Sequence, residues 1–141
     1  MIDVRPSTQD DMDYLRENPL EEALKNYPTF PAVDGNTYTA IYKDEILGMG
    51  GIVSRWSGVG EGWVILSKNC LNRPVEMFLC IKRVWETILE NEAFIRVQAV
   101  VRVDFPQAIK MAEKLGMKLE GRLEKYTPDG CDVYMYAKIR S

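Results

Sequence analysis

The sequence predicts one α/β domain, a single mixed, twisted sheet of about seven strands flanked by about four helices. Three observations lead there. Runs with strand character and runs with helical periodicity follow one another in the order β-α-α-β-β-β-α-β-α-β-β, which implies a mixed sheet with helices packed on it. The stretch DFPQAIKMAEKLG (104–116) has the fullest helix grammar in the chain. Two strand-like runs near the carboxyl end, KLEGRLEKY and CDVYMYAKI, are joined by TPDG, a strong turn signal. The chain has 141 residues, 46% hydrophobic and 28% charged, which suffices for one domain (1–141) with a sizeable core.

Each element has its own warrant. IDVR (2–5) opens as a short strand. Thr8 then offers an N-cap with Asp11 three residues on, and Met12 and Leu15 share a face, so TQDDMDYLREN reads as a helix. PLEEALKNY reads as a second short helix, with Pro19 near its first turn and Glu21 and Glu22 suited to the positive helix start. PTFPAVDGN is a loop by its Pro, Asp and Gly content. TYTAIYK (37–43) is a strand, KDE a tight turn, and ILGMGGIVSR (46–55) a strand in which Gly48, Gly50 and Gly51 point to a bulge or a close backbone approach. WSGVGEG reads as a flexible turn, and WVILS (63–67) as an apolar strand of the sheet centre.

The helix 74–90, entered at Pro74, is apolar around most of its girth through Val75, Phe78, Leu79, Ile81, Trp85, Ile88 and Leu89. FIRVQAVVRV (94–103) is the next strand. Within 104–116, Asp104 and Gln107 form a capping-box pattern, Phe105, Ala108, Ile109, Ala112 and Leu115 form the buried face, and Gly116 supplies a left-handed end. In the last strand Val133, Met135 and Ala137 alternate with Tyr134, Tyr136 and Lys138, so it reads as half-buried with tyrosines on its second face.

Composition narrows the chemistry. A net charge of −3 argues against a nucleic-acid footprint over the whole domain. The opening MIDVRPSTQDDMDYL lacks a signal pattern, and no apolar run approaches the roughly 18 residues of a membrane span, so a cytoplasmic location with no membrane partner is expected. The 3 cysteines, Cys70, Cys80 and Cys131, are widely spaced and suggest neither a disulfide framework nor a zinc site. There is no histidine, which removes Ser-His and Cys-His catalysis and the HExxH metal motif. Acid–base work falls to Asp, Glu, Tyr, Cys, Lys or water. No metal is expected.

The segment AIKMAEKLGMKLEGRLEKY, with Ala108, Ile109, Glu113, Lys114, Gly116, Met117, Glu120 and Gly121 in place, resembles the A-I-x-x-Y-E-K-x-G-F-x-x-E-G pattern of the Gcn5-related N-acetyltransferases (GNAT). The opening IDVRPSTQDDMDYL resembles the first strand and helix of that family, so the resemblance runs over the whole chain. A narrower resemblance is to small bacteriophage GNAT-like proteins, including the T7-type internal virion group. It rests on the aromatic strand before a polar loop, the basic-apolar helix after it, and the hairpin Glu124–Gly130.

The resemblance implies a fourth and fifth strand that splay apart, with acetyl-CoA (or CoA) entering the gap. The pantetheine arm would pair with the fourth strand as an added strand does, facing Val64, Ile65 and Ser67. The pyrophosphate would rest on the next helix start, from Asn69 to Val75, with Asn72, Pro74 and Val75 in the cradle and Lys68 and Arg73 supplying positive charge. Asp104 and Ala108 complete the cofactor set on the carboxyl-terminal helix. Two departures stand out. The usual Q/R-x-x-G-x-G/A loop falls on Cys70–Val75 and lacks both glycines, and the usual acid, the tyrosine of Y-E-K, is replaced by Ala112. Glu61 is then a candidate base, and Tyr126, Tyr134 and Tyr136 are candidate acids.

Two functions follow from the resemblance. One is an N-acetyltransferase acting on a primary amine of a small molecule or a protein, with the acidic residues Asp10, Asp11, Asp13, Glu21 and Glu22 bordering the acceptor groove. Those acids also read simply as solvated helix faces. The other is a GNAT-fold protein without catalysis that serves binding or virion assembly. The assemblies compatible with them are a homodimer and a phage virion component, in the host cytoplasm or the virion if phage-encoded.

Overall fold

The computed structural model describes residues 1–140. The chain folds as β1 (Asp3–Pro6), α1 (Gln9–Glu17), a 3-10 turn (Glu22–Asn26), β2 (Thr37–Tyr42), β3 (Glu45–Trp56), β4 (Val59–Leu66), a second 3-10 turn (Lys68–Asn72), α2 (Pro74–Asn91), β5 (Arg96–Arg102), α3 (Pro106–Lys114), β6 (Lys118–Leu123) and β7 (Val133–Ile139). The 7 strands form one mixed sheet in the order β1-β2-β3-β4-β5-β7-β6. The expected architecture is therefore present, with one difference among the helices. PLEEALKNY is no α-helix. Pro19 instead bridges Ser67 in extended pairing, and Tyr27, restricted by Pro28 after it, is extended as well, which leaves only the short 3-10 turn between them.

By its internal contacts the chain divides into two compact units, residues 1–52 with 64–92, and residues 53–63 with 93 onward. The first unit holds β1, β2 and most of β3 as an antiparallel ladder. Thr8 and Asp11 form the expected capping box at the start of α1. Asp11 does more than cap. Its carboxylate is almost fully buried and accepts from both Arg5 guanidinium nitrogens at 2.7 and 2.8 Å, from the Thr8 amide at 2.9 Å and from the Thr39 hydroxyl at 2.9 Å. Burial opposes its charge, but these donors outweigh burial and hold the carboxyl down to about 2. One side chain thus links β1, α1 and β2.

The core of this unit gathers Ala40, Leu47, Cys70, Met77 and Cys80, with Leu20, Tyr42 and Leu66 packed against them. The close approach expected at the glycines of β3 is real at Gly48. A Cβ there would lie 2.9 Å from Leu66 Cδ2 and 3.1 Å from Met77 Cε. On α2 the buried residues are Met77, Cys80, Trp85, Ile88 and Leu89, whereas Val75 and Leu79 are exposed. The apolar girth read from the sequence therefore narrows to a single i, i+3 face, and the first turns of α2 leave apolar side chains in solvent.

The second unit contains the remainder of β3 and the first part of β4, up to Trp63, with β5, β7 and β6. β4 begins earlier than its apolar run suggested, because the glycines of VGEG lie inside the strand and only Ser57–Gly58 turn. Gly58 takes the left-handed conformation that such a turn needs, with φ +83°. β4 pairs with β5 in parallel over Val59–Glu61 opposite Arg96–Gln98. β7 runs antiparallel between β5 and β6. α3 starts later than the capping-box pattern implied, with Phe105 at its N-cap and no side-chain cap, because the Asp104 carboxylate is turned to Arg102. Gly116 closes it with φ +85°, as expected.

Asp11 sets an acid limit on the fold. Its folded value lies below the ordinary 3.8, so its stabilisation is complete above that value and is lost as the pH falls toward about 2. Asp11→Asn is expected to cost about 2 kcal/mol at neutral pH and to remove that share of the acid dependence between roughly pH 4 and pH 2, measured by denaturant unfolding across pH. Equal stability of the two proteins at pH 7 would contradict this role.

Candidate active site

In the first unit, the end of β4 is fixed by one buried hydroxyl. Ser67, at 0% exposure, donates its Oγ to the Ile46 carbonyl at 2.6 Å, contacts the Leu47 carbonyl at 3.2 Å and accepts from the Asn69 amide at 3.2 Å. Its own amide donates to Leu47 O at 2.9 Å. Ser67 therefore faces β3 and starts the 3-10 turn. Alternation along the strand sends the Ile65 backbone to the same side, and the Ile65 side chain is buried. Neither can face an incoming arm, which corrects the expectation for both. Val64 lies on the opposite edge, shared with Leu66, and its side chain is 38% exposed. The Leu66 carbonyl on that edge accepts from the Leu20 amide at 2.7 Å, so the segment after Pro19 covers the last residue and Val64 keeps the edge position before it.

Beyond Ser67 the loop is tightly wound. Cys70 N donates to Ser67 O and Arg73 N to Cys70 O, at 3.2 and 3.0 Å. Burial pushes the Cys70 thiol up, which removes it as a nucleophile. α2 then begins at Pro74 with Arg73 as its N-cap and no side-chain cap, and its first intrahelical bond is Met77 N to Arg73 O at 2.9 Å. Pro74 has no N–H. The amides of Val75 and Glu76 therefore point out of the helix start as unused donors. Arg73 lies over the Tyr42 ring, with its guanidinium carbon 3.6 Å from the centroid, and pairs with Glu76 at 2.9 Å. Lys68 pairs with Glu22 at 2.8 Å, an exposed contact of little strength that leaves its ammonium available to a stronger anion. Asn72 is exposed beside them.

The second unit holds the other candidates. Glu61 is engaged through both oxygens, by Arg55 at 3.0 Å and by the Gln98 amide at 3.1 Å. Gln98 in turn accepts from Arg96, which makes a bidentate pair with Glu120 at 2.9 and 2.6 Å. Asp104 is held by Arg102 at 3.0 Å, and that guanidinium keeps its carboxyl below the ordinary range. The same Arg102, only 8% exposed, grips Asp129 twice at 2.8 Å and so anchors the Thr127–Gly130 turn. Asp104 is thus an ion-pair partner first. Ala108 sits half-buried in the first turns of α3, and Tyr126 is exposed. Tyr134 stands edge-on to Tyr136, with ring centroids 6.4 Å apart. Tyr136, read from the sequence as half-exposed, is buried, and burial pushes its phenol up.

Sequence reasoning missed three residues of the loop's surroundings. Tyr42 ends β2, Lys43 opens the β2–β3 turn, and Leu20 belongs to the stretch read as helix. Each reaches the loop through strand pairing or packing, which no local pattern encodes.

Neither a family model nor a curated protein matches the sequence. Solved structures do match. Ard1 of Thermoplasma volcanium superposes with a TM-score of 0.78 at 12% identity, covering 99% of this chain and 98% of that one. An acetyltransferase of the GNAT family from Streptococcus pneumoniae gives 0.75 at 18%, covering 100% of both. The fold is that of the GNAT acetyltransferases. The Microcin C7 self-immunity acetyltransferase MccE, solved with acetyl-CoA and AMP, matches 74% of this chain and 60% of its own length, with a TM-score of 0.63 at 19% identity. Ser67 joins the end of β4 to the turn that leads into α2.

Ser67→Ala is expected to lower stability by about 1 kcal/mol, because it removes the hydroxyl's bond to the Ile46 carbonyl and its acceptance from the Asn69 amide, while the Asn69 side chain and the Ser67 amide still serve the two carbonyls. Chemical denaturation measures it, and an unchanged midpoint would show that the hydroxyl does not hold the loop.

Proposed function

We propose that this chain is an acetyl-CoA-dependent N-acetyltransferase that acylates a primary amine, of a small molecule or a protein, by direct attack in a ternary complex. The observation that carries the reading is the helix start at Arg73–Glu76. Two unused amides at a positive helix end, beside an arginine, make an anion site without glycine. Val64 offers the adjoining strand edge to an amide-bearing arm. Lys68, Asn72 and Arg73 would hold the phosphates, with Val75 and Glu76 donating from the backbone and Pro74 setting the helix start. Bound acetyl-CoA supplies an acyl group already activated as a thioester.

The chain's own residues then have three tasks: aligning the acceptor, taking a proton from its ammonium, and protonating the leaving thiolate. Alignment alone accounts for much of such a rate. Glu61 is the base in this reading. Two of its roughly four lone-pair sites are used by Arg55 and Gln98, so it can still accept from an amine or a bridging water. Tyr134 or Tyr126 donates the proton to the thiolate. The cytoplasm supplies both cofactor and acceptors, and is the proposed location. No helix among the described residues is long and apolar enough to cross a membrane.

One observation favours a second reading, a catalytically silent GNAT-fold binding or assembly factor of the phage kind. Ala112, where the resemblance places the acid, carries no ionisable group.

Binding separates the readings first. Millimolar acetyl-CoA is expected to raise the melting midpoint by mass action, and Arg73→Glu to abolish the rise while folding normally. Release of free thiol from acetyl-CoA with polyamines and amino-terminal peptides as acceptors then reports catalysis. A shift without thiol release would favour the silent binder, and no shift with acetyl-CoA would refute both the enzyme and its site.

A further inference from the structure

The β2–β3 turn carries chemistry that the proposed reaction does not use. Its hairpin is tight, with Lys43 and Asp44 both at positive φ, 48° and 66°. Beside it a cleft of about 170 Å³ opens, lined by Tyr42, Lys43, Glu45, Asn69, Asn72 and Arg73, with Leu47 at its floor. Two cations flank one aromatic ring here. The Arg73 guanidinium carbon is 3.6 Å from the Tyr42 centroid, and the Lys43 ammonium 5.3 Å. A guanidinium stacked at that distance is held by its face and leaves its N–H edges for a ligand. One of those edges meets Glu76 at 2.9 Å. Lys43 makes no ion pair among the described residues, and Asn72 adds an exposed side-chain amide. Asn69 is already committed to Tyr14 and the Ile46 carbonyl, so it shapes the wall.

We infer that this cleft is a side-chain phosphate subsite, in which Tyr42 positions Arg73, and Lys43 and Asn72 complete the donors for a phosphoryl group of a CoA-type cofactor. The inference deepens the cofactor reading above and rests on it. The physical logic is substitution. A glycine loop binds phosphate through close backbone approach, and this loop, wound as a 3-10 turn capped by Ser67, spends its early amides internally. Donors on side chains replace them, and they come from a neighbouring hairpin rather than from the loop. Glu45 is the opposing feature, since its carboxylate lines the same cleft. Its presence gives the proposal a sign. Neutralising Lys43 must weaken anion binding, while neutralising Glu45 must strengthen it.

Titration calorimetry of the full chain tests this with acetyl-CoA and with S-acetylpantetheine, which has the arm but no phosphate. Lys43→Gln is expected to weaken acetyl-CoA by about tenfold, the scale of one hydrogen bond to a charged group. Glu45→Gln is expected to tighten it severalfold, and Tyr42→Leu to weaken it by releasing Arg73. None of the three is expected to alter S-acetylpantetheine binding, and Lys43→Gln is expected to flatten the salt dependence. A purely structural role for Tyr42 would move both ligands together and overturn its positioning role. Unchanged acetyl-CoA affinity in Lys43→Gln and Glu45→Gln, in a parent chain that binds acetyl-CoA, overturns the subsite and leaves the cofactor reading standing. A parent chain that binds S-acetylpantetheine and acetyl-CoA equally also overturns the subsite. A parent chain that binds neither overturns the cofactor reading itself.

Discussion

The join between β4 and α2 depends on the buried hydroxyl of Ser67. Its contacts to the Ile46 and Leu47 carbonyls stitch the strand end to β3, and its acceptance from Asn69 N starts the turn that delivers Arg73 to the helix cap. Gly48 is the steric half of the same constraint. A Cβ there would lie 2.9 Å from the tip of Leu66, 3.0 Å from the Ile65 carbonyl and 3.1 Å from the tip of Met77, so both side chains would have to shift beside a backbone that gives less readily. The Ile46 carbonyl also accepts from the Asn69 side-chain amide at 3.1 Å and the Leu47 carbonyl from the Ser67 amide at 2.9 Å, so each carbonyl is held twice. The loop is therefore held in one geometry before any ligand arrives.

That rigidity is what lets a loop without glycine serve the anion site proposed above. Glycine contributes conformational freedom and close approach. Here the chain uses neither, and keeps instead what no side chain can remove, the outward amides after Pro74 and the positive end of α2. Pro74 costs one donor but fixes the helix start. Arg73 is held by stacking on Tyr42 rather than left to sample solvent. In the second unit the same economy of charge is visible at Arg102, which is nearly buried and neutralised by Asp104 and Asp129, and whose grip determines where the Thr127–Gly130 turn sits.

Much of the fold was legible because its signals are local. The Thr8–Asp11 capping box, Gly116 after α3 and the TPDG turn are each readable within a few residues, and each is present. The start of β4 was not, since Gly60 and Gly62 mimic a turn while lying buried in a strand. Asp104 was misread for a related reason: its spacing to Gln107 fits a cap, but Arg102, two residues earlier, competes for the carboxylate and wins. The strand end, loop and helix start of the candidate site were legible as elements and not as a set of contacts. Ile65 fell on the expected strand and Ser67 just past its end, yet which edge they face depends on pairing with β3 about twenty residues upstream. Tyr42 and Lys43 left no trace in the loop's own sequence.

In the proposed function the β4 edge at Val64 and the start of α2 receive one ligand together. Amide hydrogen exchange, resolved by residue in the presence and absence of saturating acetyl-CoA, separates the two places. New protection is expected at Val64, Val75 and Glu76, whose N–H groups would become donors to the arm and the phosphates. Unchanged exchange at those three amides in a protein that demonstrably binds acetyl-CoA would contradict it.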